Sequence, residues 1–167
     1  ASTTPENKLT LAEAIDYIAE QEKTTPGQEY TISIYKDDYT IDATDIKALK
    51  DIRDDASARA AAKTAKKIVW TSKKNKDGSS LGTPATVIVS DNLWLFGTNE
   101  IILEDLELKG TKAYNIYANG TPLTVKSGVT VQDEKASLYG GSEDATQQGK
   151  TITVNSNAAF KDVKDFK

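Results

Sequence analysis

Aromatic residues on two short predicted strands are the first side chains that could do chemistry. Trp94 and Phe96 share one face of the strand LWLFG, and Tyr117 has the equivalent place in the strand YNIY. Exposed aromatic rings stack on sugars and anchor protein interfaces. The spacing therefore predicts an outward aromatic ladder, Trp94, Phe96 and Tyr117, as the candidate ligand-binding surface. The alternative is that an Ala-rich segment or a loop covers the rings and makes them a satellite core.

Adjacent acidic pairs are the second group of candidates. Two carboxylates across a groove can cleave polysaccharides, and clustered carboxylates can hold calcium. Neighbouring residues on a strand point to opposite faces, however, so Glu104 and Asp105 cannot act together there. No pair has the spacing of a calcium-binding loop. The pairs are interpreted as solvated surface charge: Asp37-Asp38, Asp54-Asp55, Glu104-Asp105, Asp133-Glu134 and Glu143-Asp144.

The composition narrows the possible function further. The chain has no histidine and no cysteine, so it has neither a histidine acid–base catalyst nor a thiolate nucleophile or ligand. Its net charge of −4 argues against nucleic-acid binding, which normally needs a basic face. The sequence has no run of about 18 apolar residues, so we predict no membrane span. We therefore predict no catalytic residue, no metal site and no cofactor. These expectations favour a non-enzymatic function over an enzyme.

The elements that would position these residues begin with two helical segments. Residues 9–22 predict an amphipathic helix, because Thr10 and Glu13 have the spacing of a capping box ahead of an apolar stripe. Residues 43–67 are rich in Ala, Lys and Arg and predict a helical insertion of one or two surface helices.

Residues 85–167 read as short strands separated by Gly, Asn, Asp and Ser corners. Overlaying two stretches aligns Leu95 with Ile116, 21 residues on, and Leu103 with Val125, 22 residues on. A period near 22 with several short strands indicates a solenoid rather than hairpins. The Asn119-Gly120 pair, which could also mark a hairpin or a glycosylation site, is then interpreted as a corner with left-handed backbone.

The run LFGTNEIILEDLELKG…IYANGTPLTVKSGVTV…GKTITVNSNAAFKDV resembles the right-handed parallel β-helix proteins of bacterial surfaces. The segment LTLAEAIDYI…PGQEYTISIYKDDYTI resembles the cap of pectate-lyase-like solenoids. The resemblance implies a mainly β fold: a short right-handed parallel β-helix with an N-terminal capping helix and an Ala-rich helical insertion. It implies one domain over residues 1–167, with a capping helix at 9–22, an insertion at 43–67 and the main coils at 85–167.

The leading functional hypothesis is a non-enzymatic, adhesin-like module that binds a glycan or a cell-surface protein. A polysaccharide lyase or glycosidase, or a fragment of one, is the first alternative, and a structural spacer of a larger surface protein is the second. The chain begins at Ala1 and contains no methionine, so we expect a secreted or bacterial cell-surface protein whose signal peptide has been removed. We also expect the C-terminal end to be continued by more chain or covered by a partner, because an open stack of strands invites aggregation.

Overall fold

The structure is a computed structural model of the 167-residue chain. It describes residues 10–35, 38–72, 79, 82–95, 99–126, 128–132, 136–140, 152–154, 159–161 and 165–166.

The described residues contain two α-helices, one 3-10 helix and fourteen strands. The helices are α1 (Leu11–Thr24), α2 (Ala43–Arg53) and the 3-10 helix Ala58–Thr64. The strands are β1 (Glu29–Ile34), β2 (Tyr39–Ile41), β3 (Lys67–Ser72), β4 (Ala85–Val89), β5 (Leu93–Trp94), β6 (Ile101–Leu103), β7 (Leu106–Gly110), β8 (Tyr114–Tyr117), β9 (Leu123–Val125), β10 (Thr130–Gln132), β11 (Ala136–Tyr139), β12 (Ile152–Val154), β13 (Ala159–Lys161) and β14 (Asp165–Phe166).

These strands form three sheets, and every pairing between described strands is parallel. The first sheet has the order β1-β3-β6-β9-β12, the second β13-β10-β7-β4-β2, and the third β14-β11-β8-β5. From β4 onward, consecutive strands enter the second, third and first sheets in turn. Each strand from β4 to β11 therefore pairs with the strand three positions later along the chain.

The predicted fold class is wrong. In place of a mainly β, short right-handed parallel β-helix with a capping helix and an inserted helix, the chain has an α/β layout. Three parallel sheets of five, five and four strands are combined with helices that precede and separate their first strands. The sheets begin at Glu29, ahead of the main coils predicted at 85–167, because β1, β2 and β3 pair with strands of the repeat region.

The register agrees with the sequence repeat in part. Leu103 pairs with Val125, the 22-residue spacing that the overlay predicts. Ile116 pairs with Leu93, 23 residues away, instead of with Leu95. The corner prediction is confirmed, since β8 and β9 lie in different sheets, and Asn119 and Gly120 both have positive φ, 53° and 73°. The Thr121 amide closes this turn by donating to the Ala118 carbonyl over 3.0 Å.

The core is built from inward side chains that lie in register on neighbouring strands. All of them are buried, and each contributes about 1.5–3 kcal/mol relative to an exposed position. The clearest rows are Leu93, Ile116 and Leu138 in the third sheet, Val87, Leu108 and Val131 in the second, and Ile101 and Leu123 in the first.

The helices cover one end of this core. Ile15 and Ile18 of α1 approach Ile32, Ile68 and Trp70 of the first sheet. The predicted cap of α1 is confirmed, since the Thr10 hydroxyl accepts from the Glu13 amide over 3.2 Å, and the helix spans Leu11–Thr24 where 9–22 was predicted.

The predicted insertion at 43–67 is divided. Helix α2 ends at Arg53, and the Asp54 carboxylate accepts from the Ala56 amide in the local turn that follows. Ser57 then caps the 3-10 helix, and Lys67 already belongs to β3.

Candidate functional site

An aromatic stack exists on the third sheet, and it contains Trp94 and Tyr117 of the predicted ladder together with Tyr139. The rings of Trp94 and Tyr117 stack with centroids 6.2 Å apart and an interplanar angle of 22°. Tyr139 continues the row, with its ring centroid 4.9 Å from that of Tyr117. The parallel register produces this row, since Trp94 pairs with Tyr117 and Tyr117 with Tyr139. Phe96 lies outside the described residues.

The stack is covered at its first end. Trp94 is only 2% exposed and Tyr117 only 6%. Helix α2 packs against β5, and the Lys50 ammonium group lies 4.1 Å from the centroid of the Trp94 ring. A cation at this position is attracted by the ring quadrupole. The rings of Trp94 and Tyr117 are therefore covered, as the alternative interpretation of the aromatic residues expects, and neither ring has a face open to a sugar.

Tyr139 was missed from the sequence. Overlaying ASLY on YNIY, 22 residues apart, would have placed it over Tyr117.

A buried carboxylate, Asp45, joins the start of both α-helices. Asp45 accepts from the Ala12 amide of α1 over 2.9 Å and from the Tyr39 hydroxyl over 2.7 Å. The same hydroxyl accepts from the Leu11 amide over 2.8 Å, so two of the free amides at the start of α1 are satisfied. Asp45 and Asp42 also form the capping box of α2. Burial raises the pKa of Tyr39, and the Asp45 carboxylate adds to this shift.

A second buried carboxylate, Glu22, ties the end of α1 to the sheet. It is 1% exposed and accepts from the Gly27 amide over 2.7 Å, the Gln28 amide over 2.9 Å and the Thr64 hydroxyl over 2.7 Å. Burial by itself would raise the pKa of Glu22, but the hydrogen bonds, that from Thr64 first, hold it below its ordinary value. Burial and the neighbouring Glu22 raise the pKa of Tyr30.

Arg59 of the 3-10 helix links the two α-helices. Its guanidinium donates to Asp16 of α1 over 2.6 Å and to Asp51 of α2 over 2.9 Å. The pKa of Asp51 lies below its usual range, chiefly because of the hydrogen bond from Lys47 and next because of the one from Arg59. Together with Asp45 and Glu22, this network fixes the helices on the sheets.

An open groove lies beside the beginning of β1 and β3. We call it the β1 groove; it has a volume of ≈ 370 Å³ and is lined by Gly27, Gln28, Glu29, Tyr30, Thr31, Lys66, Lys67 and Val69. Its charged groups are one carboxylate and two ammonium groups. The Glu29 carboxylate lies 3.5 Å from Lys66 Nζ and 3.4 Å from Lys67 Nζ. The charge of Lys67 is the main cause that lowers the pKa of Glu29.

The walls of the β1 groove are held from behind. The Glu22 carboxylate fixes the amides of Gly27 and Gln28, and the Lys66 amide donates to the Gln28 carbonyl over 2.9 Å. The groove is therefore a preformed surface built on the first two strands of the first sheet. Sequence reasoning missed it, because Glu29 and Lys67 are far apart along the chain and no local motif marks them.

Within the ranges that the structure describes, three or more acidic side chains never converge into a group that could hold a metal ion. The described helices include none that is both long and apolar enough to cross a membrane.

The fold and these sites define an α/β protein of three parallel sheets whose helices are anchored by buried carboxylates. No protein-family model matches the chain, and neither a curated protein nor a solved structure matches it.

Proposed function

We propose that this chain is a non-enzymatic binding module of an exported bacterial surface protein, and that it binds a protein partner rather than a glycan. The observation that carries the proposal is the β1 groove, a preformed concave surface that combines charged groups with the edge of a sheet. Backbone and charged groups of this kind recognise polypeptides.

The arrangement of the carboxylates supports binding over catalysis. An acid–base catalyst must present its oxygen atoms to a substrate. The oxygen atoms of Glu22 accept from two amides and a hydroxyl of the protein itself, and those of Asp45 accept from Ala12 and Tyr39. Both buried carboxylates are thus engaged in holding the helices.

The burial of the aromatic stack supports a protein partner over a glycan. Stacking on sugars requires an open ring face. Trp94 and Tyr117 are covered, and Lys50 lies over Trp94. The export and cell-surface parts of the proposal rest on the sequence resemblance.

The test compares adhesion with turnover. Beads coated with the protein are applied to surfaces coated with extracellular matrix proteins and to a glycan array. We expect saturable binding to at least one protein coat. The double variant Lys66→Glu, Lys67→Glu should weaken it at least tenfold, whereas Lys109→Glu, a reversal at an exposed site on the second sheet, should not change it.

Two results would overturn the proposal. Absence of saturable binding to every protein coat would favour the structural spacer. Turnover of an acidic polysaccharide such as polygalacturonate, abolished by a chelator, would establish the polysaccharide-active enzyme.

A further inference from the structure

Strand β1 is an edge strand with six residues. In the order of the first sheet it pairs only with β3, so in the part of the chain that the structure describes no strand is paired with its other side. The edge strands of the other two sheets at this end, β2 and β5, have α2 packed against them. An unpaired edge presents a row of backbone donors and acceptors to any extended chain.

The register identifies which residues of β1 face this open side. The Ile68 amide donates to the Glu100 carbonyl, and the Trp70 carbonyl accepts from Glu104, so alternate residues of β3 bond to β6. The intervening residues, including Val69, bond to β1. Val69 lies opposite Thr31. In a parallel pair this register directs the backbone amides and carbonyls of Tyr30 and Ile32 toward β3, so the amide and carbonyl of Thr31 face the open side.

The charges beside the start of β1 fit a carboxylate. Lys66 and Lys67 share the one carboxylate of Glu29, so the β1 groove carries a net charge of one positive unit from its lining residues. The side chain of Lys66 remains 69% exposed and can reach a second anion. A partner with an acidic side chain at this point would complete the pairing of both lysines.

The outward face next to the edge offers contacts for side chains as well. Thr31 is exposed and Val69 is half-buried, and both line the groove. At the far end of the strand Tyr35 is 59% exposed, which makes it the large hydrophobic residue most open to solvent in the described chain. An extended segment laid along β1 would meet the lysines at one end and this tyrosine at the other.

We infer that the β1 groove binds an extended acidic peptide segment, which adds to the first sheet as a new strand alongside β1 and places a carboxylate beside Lys66 and Lys67. The inference rests on the proposed function and specifies the partner and the mode of recognition. Backbone hydrogen bonds to Thr31 supply affinity, and the lysines supply selectivity for the acidic side chain.

The probe is a set of capped, fluorescently labelled octapeptides in which Thr and Val alternate and the fourth residue is Glu, Gln or Lys. Binding is measured by fluorescence anisotropy. We expect the Glu peptide to bind at least tenfold more tightly than the Lys peptide, and this preference to disappear in the Lys66→Glu, Lys67→Glu variant. Equal affinity for the Glu and Lys peptides would overturn the inference.

N-methylated peptides test strand addition itself. Methylating the amides of one alternate set should weaken binding more than tenfold, and methylating the other set should change it less than threefold, because only one set faces β1. Equal tolerance of both sets would show recognition by side chains alone and would refute strand addition.

Variants of the protein provide the matched control. Thr31→Pro removes the edge amide without removing a hydrogen bond to β3, so the circular dichroism spectrum should be retained and binding lost. Thr31→Val keeps the amide and should bind as the parent does. If Thr31→Pro does not fold, the methylated peptides still decide the question. Saturable adhesion to protein coats without peptide binding would overturn strand addition alone, and loss of both would overturn the proposed function.

Discussion

Asp45 is the residue whose removal should reveal how the helices are attached. Its carboxylate accepts from Ala12 and Tyr39, which belong to different elements, and it is 2% exposed. Replacing Asp45 with Ala leaves a buried amide and a buried hydroxyl without their acceptor. Hydrogen bonds to charged groups contribute about 1.5–3 kcal/mol each, and the N-terminal dipoles of two helices add about 0.3–1 kcal/mol each.

Removal of the desolvation cost of the carboxylate offsets part of that loss. We therefore expect Asp45→Ala to lower the free energy of unfolding by about 3–5 kcal/mol, which corresponds to a fall of roughly 10 °C in Tm for a chain of this size. Urea unfolding followed by circular dichroism and by tryptophan fluorescence measures the change. Asp54→Ala is the control: that residue is exposed and bonds only to a local amide, and it should stay within about 0.5 kcal/mol of the parent.

A double-mutant cycle with Tyr39→Phe tests the mechanism. Tyr39→Phe alone should cost about 2 kcal/mol, because its hydroxyl joins the Leu11 amide to Asp45. The two substitutions should couple by about 1–2 kcal/mol, since they remove the same hydrogen bond. Additive effects, or a loss below about 1 kcal/mol for Asp45→Ala, would refute the idea that this carboxylate anchors the helices.

Three further predictions concern the acid response, the aromatic stack and one glycine. The pKa of Glu22 is lowered in the folded chain, so the stability that this carboxylate contributes is complete above the unfolded pKa of about 4.3 and is lost as the pH falls through the folded value. Glu22→Gln should therefore flatten the curve of stability against pH in this range. An unchanged slope in urea titrations from pH 6 to 3 would contradict this. Trp94→Ala should destabilise the protein by about 3–5 kcal/mol in thermal unfolding, and a loss below about 1 kcal/mol would mean that the ring is a surface group. Gly128→Ala should lower the free energy of unfolding in urea clearly more than Gly27→Ala. Both positions have positive φ, but a methyl group at 128 would lie 2.2 Å from Asp105 Oδ1, whereas one at 27 meets nothing within 4 Å. Equal losses of stability would count against the steric argument.

Local features of the sequence were predictable because their causes are local. The Thr10–Glu13 spacing places the start of α1, and the positive φ values at Asn119 and Gly120 follow from residue types that tolerate this conformation. The 22-residue spacing places Leu103 beside Val125.

The features that were missed depend on contacts across long stretches of chain. The fold class was wrong because the α/β layout depends on helices that pack on the first strands of the sheets, and no local pattern in the sequence shows that packing. Alternation predicts that Trp94 and Tyr117 share a face, but it does not predict that α2 covers them. The partner of Asp45 on α1 is 33 residues away, and Thr64 is 42 residues from Glu22, so neither anchor has a sequence motif.

The Asn119-Gly120 turn has a consequence for chemical ageing. In an Asn-Gly pair the glycine nitrogen can attack the side-chain amide carbon, which releases ammonia and leads through a cyclic imide to isoaspartate. Here the Gly120 nitrogen is held in a hydrogen bond to the Gly140 carbonyl, and the Asn119 amide group donates to the Tyr117 carbonyl over 3.0 Å while buried. The folded chain thus keeps both reacting groups immobile, and isoaspartate at position 119 should accumulate in molecules that have opened. Its level in a stored sample would record how often this part of the protein unfolds.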